Sequence, residues 1–404
     1  MKILQINCVY GKGSTGKLVR EIHTFLQAEG IESVVCYGRG EKVTEAGVYK
    51  TCGELYAKCN NLLSRFTGLM YGGCLLSTRR LINVIAREKP DIVHLHCING
   101  YFVNLFRLTN WLKEQKIRTV LTLHAEFPYT ANCGHALECE KWKTGCGSCP
   151  RWRQETKSLF FDRTHTSWRR LYDAYCGFDR LQVVSVSPWL RTRAERSPML
   201  KDKHHAVVLN GLDTAVFHPY DDAAMLRQRL GIGDAKVVLH VTASFSDAEG
   251  HFKGGSYVLE LARRLERENI VFLVAGPHSL TSVPPNNVRF LGKLSDQKEL
   301  ARLYSLADVT LLTSKRETFS MPLAESLCCG TPVVGFRAGG PESIAIPEYA
   351  YFTEYGDTDA IEAALLQALR RGKATQISEA AGVYDSARMA QNYLRIYQKD
   401  CGAL

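Results

Sequence analysis

Short apolar runs of strand length alternate with longer stretches whose apolar positions recur at helical spacing. Lys2–Val9 is the first such run, and Leu18–Leu26 follows it with helical periodicity. Glu32–Tyr37 predicts a strand, and Leu55–Met70 and Cys74–Arg87 predict helices. Pro90 introduces a strand over Asp91–His96, then come a helix over Phe102–Gln115 and a strand over Arg118–His124. Leu181–Ser187 is a further strand, and Ser187-Pro188 opens a helix, a hydroxyl cap followed by a residue that needs no N–H there. Val207–Asn210 and the turn Gly211–Asp213 separate this series from a second one. The second contains strands over Lys236–Thr242, Ile270–Ala275, Val288–Leu291 and Val309–Leu312, with helices over Ser256–Glu266 and Asp296–Leu306. Strands separated by helices imply parallel, doubly wound sheets of the α/β class, which bind ligands at the carboxyl ends of their strands. The expected units are 1–205 and 206–380, with a last helix near Ala380–Gln398 in a closing segment 381–404.

Composition adds limits. A chain of 404 residues can build two cores, and its 45% hydrophobic content is that of a globular protein. No apolar run approaches the roughly 18 residues of a membrane span. The first residues read as a strand and not as a signal peptide, so a cytoplasmic location is expected. The net charge of +10 is uneven. Residues 1–200 hold 29 Lys+Arg against 17 Asp+Glu, a net +12, and the remainder is −2. That bias suits an anionic partner: nucleic acid, an acidic membrane surface or a phosphate-bearing acceptor.

The 14 cysteines of a cytoplasmic chain read as thiols or metal ligands. Cys133, Cys139, Cys146 and Cys149 fall within NCGHALECEKWKTGCGSCP, a spacing that suits tetrahedral zinc, with His135 able to replace one thiol. Four protein ligands would make the site structural and not catalytic. Four free thiols in a loop are the plainer reading. The basic, aromatic stretch 151–180 could meet single-stranded nucleic acid, lie on an anionic membrane or form a packed amphipathic helix.

Two segments suggest chemistry. Gly11 to Leu18 nearly spells a phosphate-cradling loop, but Leu18 stands where a Mg²⁺ ligand is required. A Gly-rich turn with Gly16 at a helix start is the better expectation. The stronger segment is Thr313–Gly340, where Glu317 lies on a loop leaving a strand and Glu325 lies in the following helix, begun by Pro322 and closed by Gly330. The N–H groups of Phe319, Ser320 and Met321 then point off a helix start, where an anion is favoured. Glu325 can accept from the vicinal hydroxyls of a ribose, and Glu317 from those of a sugar. Lys253-Gly254 opens a helix in the second series, where a cation can meet a pyrophosphate.

ETFSMPLAESLCCGTPVV followed by GGPE resembles the nucleotide-binding motif of the family 4 retaining glycosyltransferases, such as those of bacterial colanic acid, O-antigen and exopolysaccharide biosynthesis. The resemblance implies the GT-B fold, two Rossmann-like domains with a cleft between them, the first on the acceptor side and the second binding the nucleotide sugar. It implies a last helix that crosses back onto the first domain. It places Gly16 by the donor diphosphate, His124 beside the reacting carbon of the sugar as binder and electrostatic stabiliser, and Asn210 at the interdomain crossing, in an N-G-x-D segment. Two departures stand out: Ser320 replaces the usual Gly, and Ala243-Ser244-Phe245 stands where an Arg is usual, so Lys253 carries more of the diphosphate charge. The implied reaction moves a sugar, with retention, from a nucleoside-diphosphate sugar to a hydroxyl of a glycan or polyprenyl-diphosphate-linked acceptor. No catalytic cofactor and no nucleic acid are expected. The basic half would serve peripheral association with the inner face of the plasma membrane. A GT-B epimerase of nucleotide sugars and a zinc-containing nucleic-acid binder are the alternatives.

Overall fold

The computed structural model describes residues 1–399. The chain forms two compact units: 1–209 with the C-terminal segment from Ala387, and Asn210–Ser386. The divisions thus fall four to six residues beyond the expected 205 and 380.

The first unit is a seven-stranded sheet: β1 (Lys2–Asn7), β2 (Glu32–Tyr37), β3 (Val48–Lys50), β4 (Ile92–Leu95), β5 (Arg118–Leu123), β6 (Leu181–Ser185) and β7 (His204–Val207). Its order is β3-β2-β1-β4-β5-β6-β7, parallel throughout. Ile3, Leu4, Ile6, Val93, Val120 and Val184 are fully buried, as strands covered on both faces require. The last helix, Ser386–Gln398, belongs to this unit. Its Met389, Tyr393 and Tyr397 pack with Leu18, Ile22 and Ile92. Arg118 donates to the carbonyls of Ile396 and Tyr397 at 2.6 Å each, closing the helix with a cation.

That helix starts later than the periodicity implies. Residues before it form a 3-10 turn, Ala381–Tyr384, and Leu212 donates to the Tyr384 carbonyl while Ser386 donates to that of Leu212. These bonds to a distant segment replace helical ones and interrupt the expected Ala380–Gln398 run. β7 lies three residues before the expected Val207–Asn210, and the helix Thr358–Arg371 extends the second series.

The second unit holds β8 (Lys236–Val241), β9 (Phe245–Ser246), β10 (Ile270–Ala275), β11 (His278–Ser279), β12 (Val288–Gly292), β13 (Val309–Leu312), β14 (Val333–Phe336) and β15 (Ala350–Thr353). Six of them make a parallel sheet in the order β12-β10-β8-β13-β14-β15, and β9 pairs with β11. The order jumps from β8 to β13, so the connections leaving these neighbouring strands start side by side, the arrangement that creates a binding crevice in open α/β sheets.

Candidate functional site

In the second unit the loops after β8 and β13 are sewn together. Lys315 donates through its N–H to the Phe252 carbonyl at 3.0 Å, and the Thr313 hydroxyl donates to the Lys253 carbonyl at 3.0 Å. Gly254 has φ 66°, and a Cβ there would lie 2.1 Å from the Thr313 carbonyl oxygen, so only glycine permits this approach. The stitching brings Lys253 Nζ to 2.6 Å from Glu317 Oε1. Both side chains are about a quarter exposed, at 27% and 23%, so the pair is reachable from solvent. Beneath it His240 is buried and donates from Nδ1 to the Leu311 carbonyl. Burial pushes its imidazole down to about 4, which keeps it neutral beside Lys253.

The backbone of Glu317 is clamped by the Gly-Gly turn. Glu317 N–H donates to the Ala338 carbonyl, and Gly340 N–H donates to the Glu317 carbonyl. A Cβ on Gly340 would lie 2.3 Å from the Thr318 carbonyl carbon. Glu342 accepts from the N–H groups of Ala338 and Gly339 at 2.8–3.0 Å, so this carboxylate holds the turn.

The helix Met321–Cys328 starts where the sequence places it. Pro322 has no N–H to satisfy, and Leu323 N–H reaches the Ser320 hydroxyl at 3.4 Å. The N–H groups of Phe319, Ser320 and Met321 precede the first helical bond and form an anion-favouring end. Ser320 sits at φ 98°, a region that L-residues rarely adopt, which accounts for the glycine usual in the resembled motif. Glu325, one turn in, accepts from the Tyr304 hydroxyl at 2.9 Å. Tyr304 is fully buried, and burial and the neighbouring carboxylate hold its phenol well above the ordinary range, so it acts as a donor. Asn210 is buried at the first position of this unit, and Asp213 caps its own turn by accepting from Ala215 N–H.

In the first unit His124 follows β5 directly and heads a chain of buried polar contacts. Gln5 Nε2 donates to the Val19 carbonyl, so its Oε1 is the acceptor for His96 Nε2 at 3.2 Å. His96 Nδ1 then carries the lone pair and accepts from His124 Nε2 at 3.3 Å, which fixes His124 with the proton on Nε2 and the lone pair on Nδ1. Burial holds His124 down to about 4, so it is a neutral hydrogen-bonding group at neutral pH. His94 is saturated by the hydroxyls of Thr122 at 2.7 Å and Tyr397 at 2.6 Å, a packed core histidine.

The first helix spans Gly13–Ala28, so the Gly-rich segment runs into a helix start, whose first N–H groups have no intrahelical acceptor. Gly16 lies within its first turns, not at its start. A Cβ there would meet Val9 Cγ2 at 3.0 Å, so Gly16 lets the helix sit close on the loop before it.

Two functional residues escape a reading of the sequence. Tyr304 orients Glu325, and its only local signal is a Tyr on the buried face of a helix, which requires a polar partner. Glu126, two residues past His124, is fully buried and accepts from Arg193 at 2.6 Å, the Tyr129 hydroxyl at 2.5 Å and Ala136 N–H at 2.7 Å. It therefore anchors the Cys-rich loop.

The thiols of Cys133, Cys139, Cys146 and Cys149 lie near one another, each within electrostatic reach of others of the four. Among the described residues no group of three or more His, Cys, Asp or Glu is placed to hold a metal ion. Other contacts close the loop. Trp142 is buried and donates to the Cys139 carbonyl, the Cys146 thiol lies 3.7 Å from the Thr130 carbonyl, and Asp162 accepts from Cys149 N–H. Burial pushes the Cys146 thiol up to about 12. Within the basic stretch that follows, Thr164–Tyr175 is a packed helix, with Trp168 buried and donating to the Trp142 carbonyl, so that ring is not offered for base stacking, while Phe160 and Phe161 before it are exposed.

Comparison with known proteins agrees with this geometry. Residues 227–382 match the family described as Glycosyl transferases group 1, and residues 15–216 match Glycosyltransferase Family 4. The chain is 22% identical over 424 residues to the colanic acid biosynthesis glycosyl transferase WcaC of Escherichia coli, covering 98% of this chain and all of that one. It is 28% identical to the N-acetyl-alpha-D-glucosaminyl L-malate synthase of Bacillus anthracis, over 72% of this chain and 68% of the relative. Among solved structures, sucrose-phosphate synthase from Thermosynechococcus elongatus superposes with a TM-score of 0.66 at 16% identity, covering 98% of both chains. Anabaena HepE in complex with UDP superposes with a TM-score of 0.63 at 15% identity, covering 98% of this chain and 99% of that one. The two solved structures share this architecture of two parallel-sheet α/β domains, the GT-B fold.

Proposed function

The chain belongs to the family 4, group 1 glycosyltransferases, and from that premise we propose that it transfers a sugar, with retention, from a nucleoside-diphosphate sugar to an acceptor hydroxyl in surface polysaccharide assembly. One observation carries the proposal: the Lys253–Glu317 pair at 2.6 Å, beside a helix start and eight residues before a Glu325 held by Tyr304. A diphosphate entering this crevice competes for Lys253 and meets the N–H groups of residues 319–321, fixed donors that stabilise the charge developing on the leaving group. Glu317, released from the lysine, then accepts from sugar hydroxyls, and Glu325 accepts from the ribose. By the family resemblance, His124 would help to bind and orient the sugar as a neutral hydrogen-bonding group. Glu126, the buried carboxylate nearest His124 in sequence, is committed to Arg193 and is no candidate for a base or nucleophile. The reaction that suits this set is a front-face exchange. The bond from the anomeric carbon to the diphosphate oxygen breaks, the new glycosidic bond forms on the same face, and the acceptor proton passes to the leaving phosphate oxygen. The name of the relative WcaC, a colanic acid biosynthesis glycosyl transferase, supports a polysaccharide setting, and the acceptor in this reading is a glycan or polyprenyl-diphosphate-linked hydroxyl.

Calorimetric titration of UDP, GDP, ADP and their sugar conjugates tests the donor site. One nucleotide is expected to bind wild type, and Glu325→Ala is expected to weaken it by about tenfold or more, the cost of losing hydrogen bonds to a charged group. Absence of binding by every nucleotide, or equal binding by the variant, overturns the assignment.

A further inference from the structure

The helix Glu54–Thr67 is turned inside out. Its buried residues are Ala57, Asn60 and Ser64, all small or polar, while Leu55, Leu62, Leu63 and Phe66 are 46–75% exposed. Positions 55, 62 and 66 fall on one helical face, so the exposed side chains form a stripe. The orientation is set by Asn60, whose Oδ1 accepts from Cys74 N–H at 2.6 Å while its amide, donating to the Tyr56 carbonyl of the same helix, fixes the side chain. Rolling the stripe inward would break the bond to Cys74.

The stripe continues into a second segment. Leu159 N–H donates to the Arg65 carbonyl at 2.8 Å, and the Phe66 and Phe160 rings are 5.9 Å apart. Leu159, Phe160 and Phe161 are 47–61% exposed. On the other side Leu76 N–H reaches the Tyr56 hydroxyl, which sets exposed Leu75 and Leu76 beside the start of the stripe. A contiguous exposed apolar face of this kind marks an interaction site.

The charge around the face selects the partner. No Asp or Glu occurs from residue 55 to 82, while Lys58, Arg65, Arg79 and Arg80 are all exposed there. Arg163 lies over the Phe161 ring at 5.5 Å. A second copy of the chain would bring like charges together. An anionic lipid surface satisfies both features, accepting the apolar stripe among its acyl chains and the cations among its headgroups. Among the described residues no helix is long and apolar enough to cross a membrane. We propose that this face, the helix Glu54–Thr67 with Leu75, Leu76 and 159–161, seats the first unit on an anionic bilayer, with the helix lying in the interface plane.

The proposal is independent of which sugar is transferred, and cosedimentation of the full chain tests it. Vesicles of phosphatidylcholine mixed with phosphatidylglycerol are expected to pellet at least about tenfold more protein than phosphatidylcholine alone, and added salt is expected to release it. The triple variant Leu62→Ser, Phe66→Ser, Phe160→Ser is expected to lose vesicle binding while still melting cooperatively, because these side chains are about half exposed and outside the core. Met225→Ser, an exposed site in the second unit, is expected to bind as wild type does. Equal pelleting of wild type and the triple variant on anionic vesicles overturns the proposal. So does a dimer in solution that the triple variant dissolves while neither protein binds vesicles, since the face would then belong to a second copy.

Discussion

Ser320 sits at φ 98° at the start of the helix Met321–Cys328, and its hydroxyl caps that helix through Leu323 N–H. The backbone strain costs about 1–2 kcal/mol for an L-residue, and the cap returns about 1 kcal/mol. Ser320→Ala keeps the strain and removes the cap, so it is expected to lower stability by about 1 kcal/mol. Ser320→Gly relieves the strain, and in denaturant melts it is expected to lie above the alanine variant and close to wild type. A glycine variant less stable than the alanine one would show that the positive φ is not maintained in solution. The same logic separates Glu325 from Glu317. The first is oriented by a buried phenol and the second by a lysine, so in the proposed donor site one would be prepared before the donor arrives and the other exchanged when it does.

At the scale of elements, the Cys-rich loop depends on a single buried carboxylate. Glu126 joins Arg193, Tyr129 and Ala136, and Arg193 also lies over the Trp142 ring at 5.2 Å. Removing one partner of a buried ion pair leaves an uncompensated charge, at a cost of about 3–5 kcal/mol. Arg193→Met is therefore expected to destabilise the first unit by that order and to expose the Trp142 region, read as a red shift in tryptophan fluorescence and faster modification of the loop thiols. A double change, Glu126→Gln with Arg193→Met, is expected to recover part of the loss, because no isolated charge remains. Equal stability of wild type and Arg193→Met would assign closure of the loop to other contacts.

Across the whole molecule, buried histidines couple stability to pH. His94 and His96 are held well below the ordinary range by burial, and His124 and His240 are held down to about 4 for the same reason. The unfolded chain takes up these protons near pH 6.5 and the folded chain resists them, so the stabilisation is complete above about pH 6.5 and is lost as pH falls toward 4. Each histidine that titrates only on unfolding contributes a slope of up to about 1.4 kcal/mol per pH unit in that window. Tm is expected to fall from about pH 7 to about pH 5, and His94→Gln is expected to flatten the decline by roughly one proton. A Tm that is level over this window would remove the claim that these imidazoles are neutral in the folded state.

Much of the architecture was legible in residues close together in sequence. Strand and helix periodicity, Pro322 at a helix start and the Glu317-to-Glu325 spacing are local signals, and they place both parallel sheets and the carboxylates correctly. Local signals stop at contacts between distant segments. The Lys253–Glu317 pair spans 64 residues and the His94–Tyr397 bond spans 303, and each depends on which strands become neighbours. The cysteine spacing permits a metal tetrad but cannot impose one, because the loop's other contacts decide where the thiols lie. Periodicity shows that Glu54–Thr67 has an apolar face without showing which way it turns. That direction depends on Asn60 finding the Cys74 N–H, a bond that exists only once the chain has folded around it.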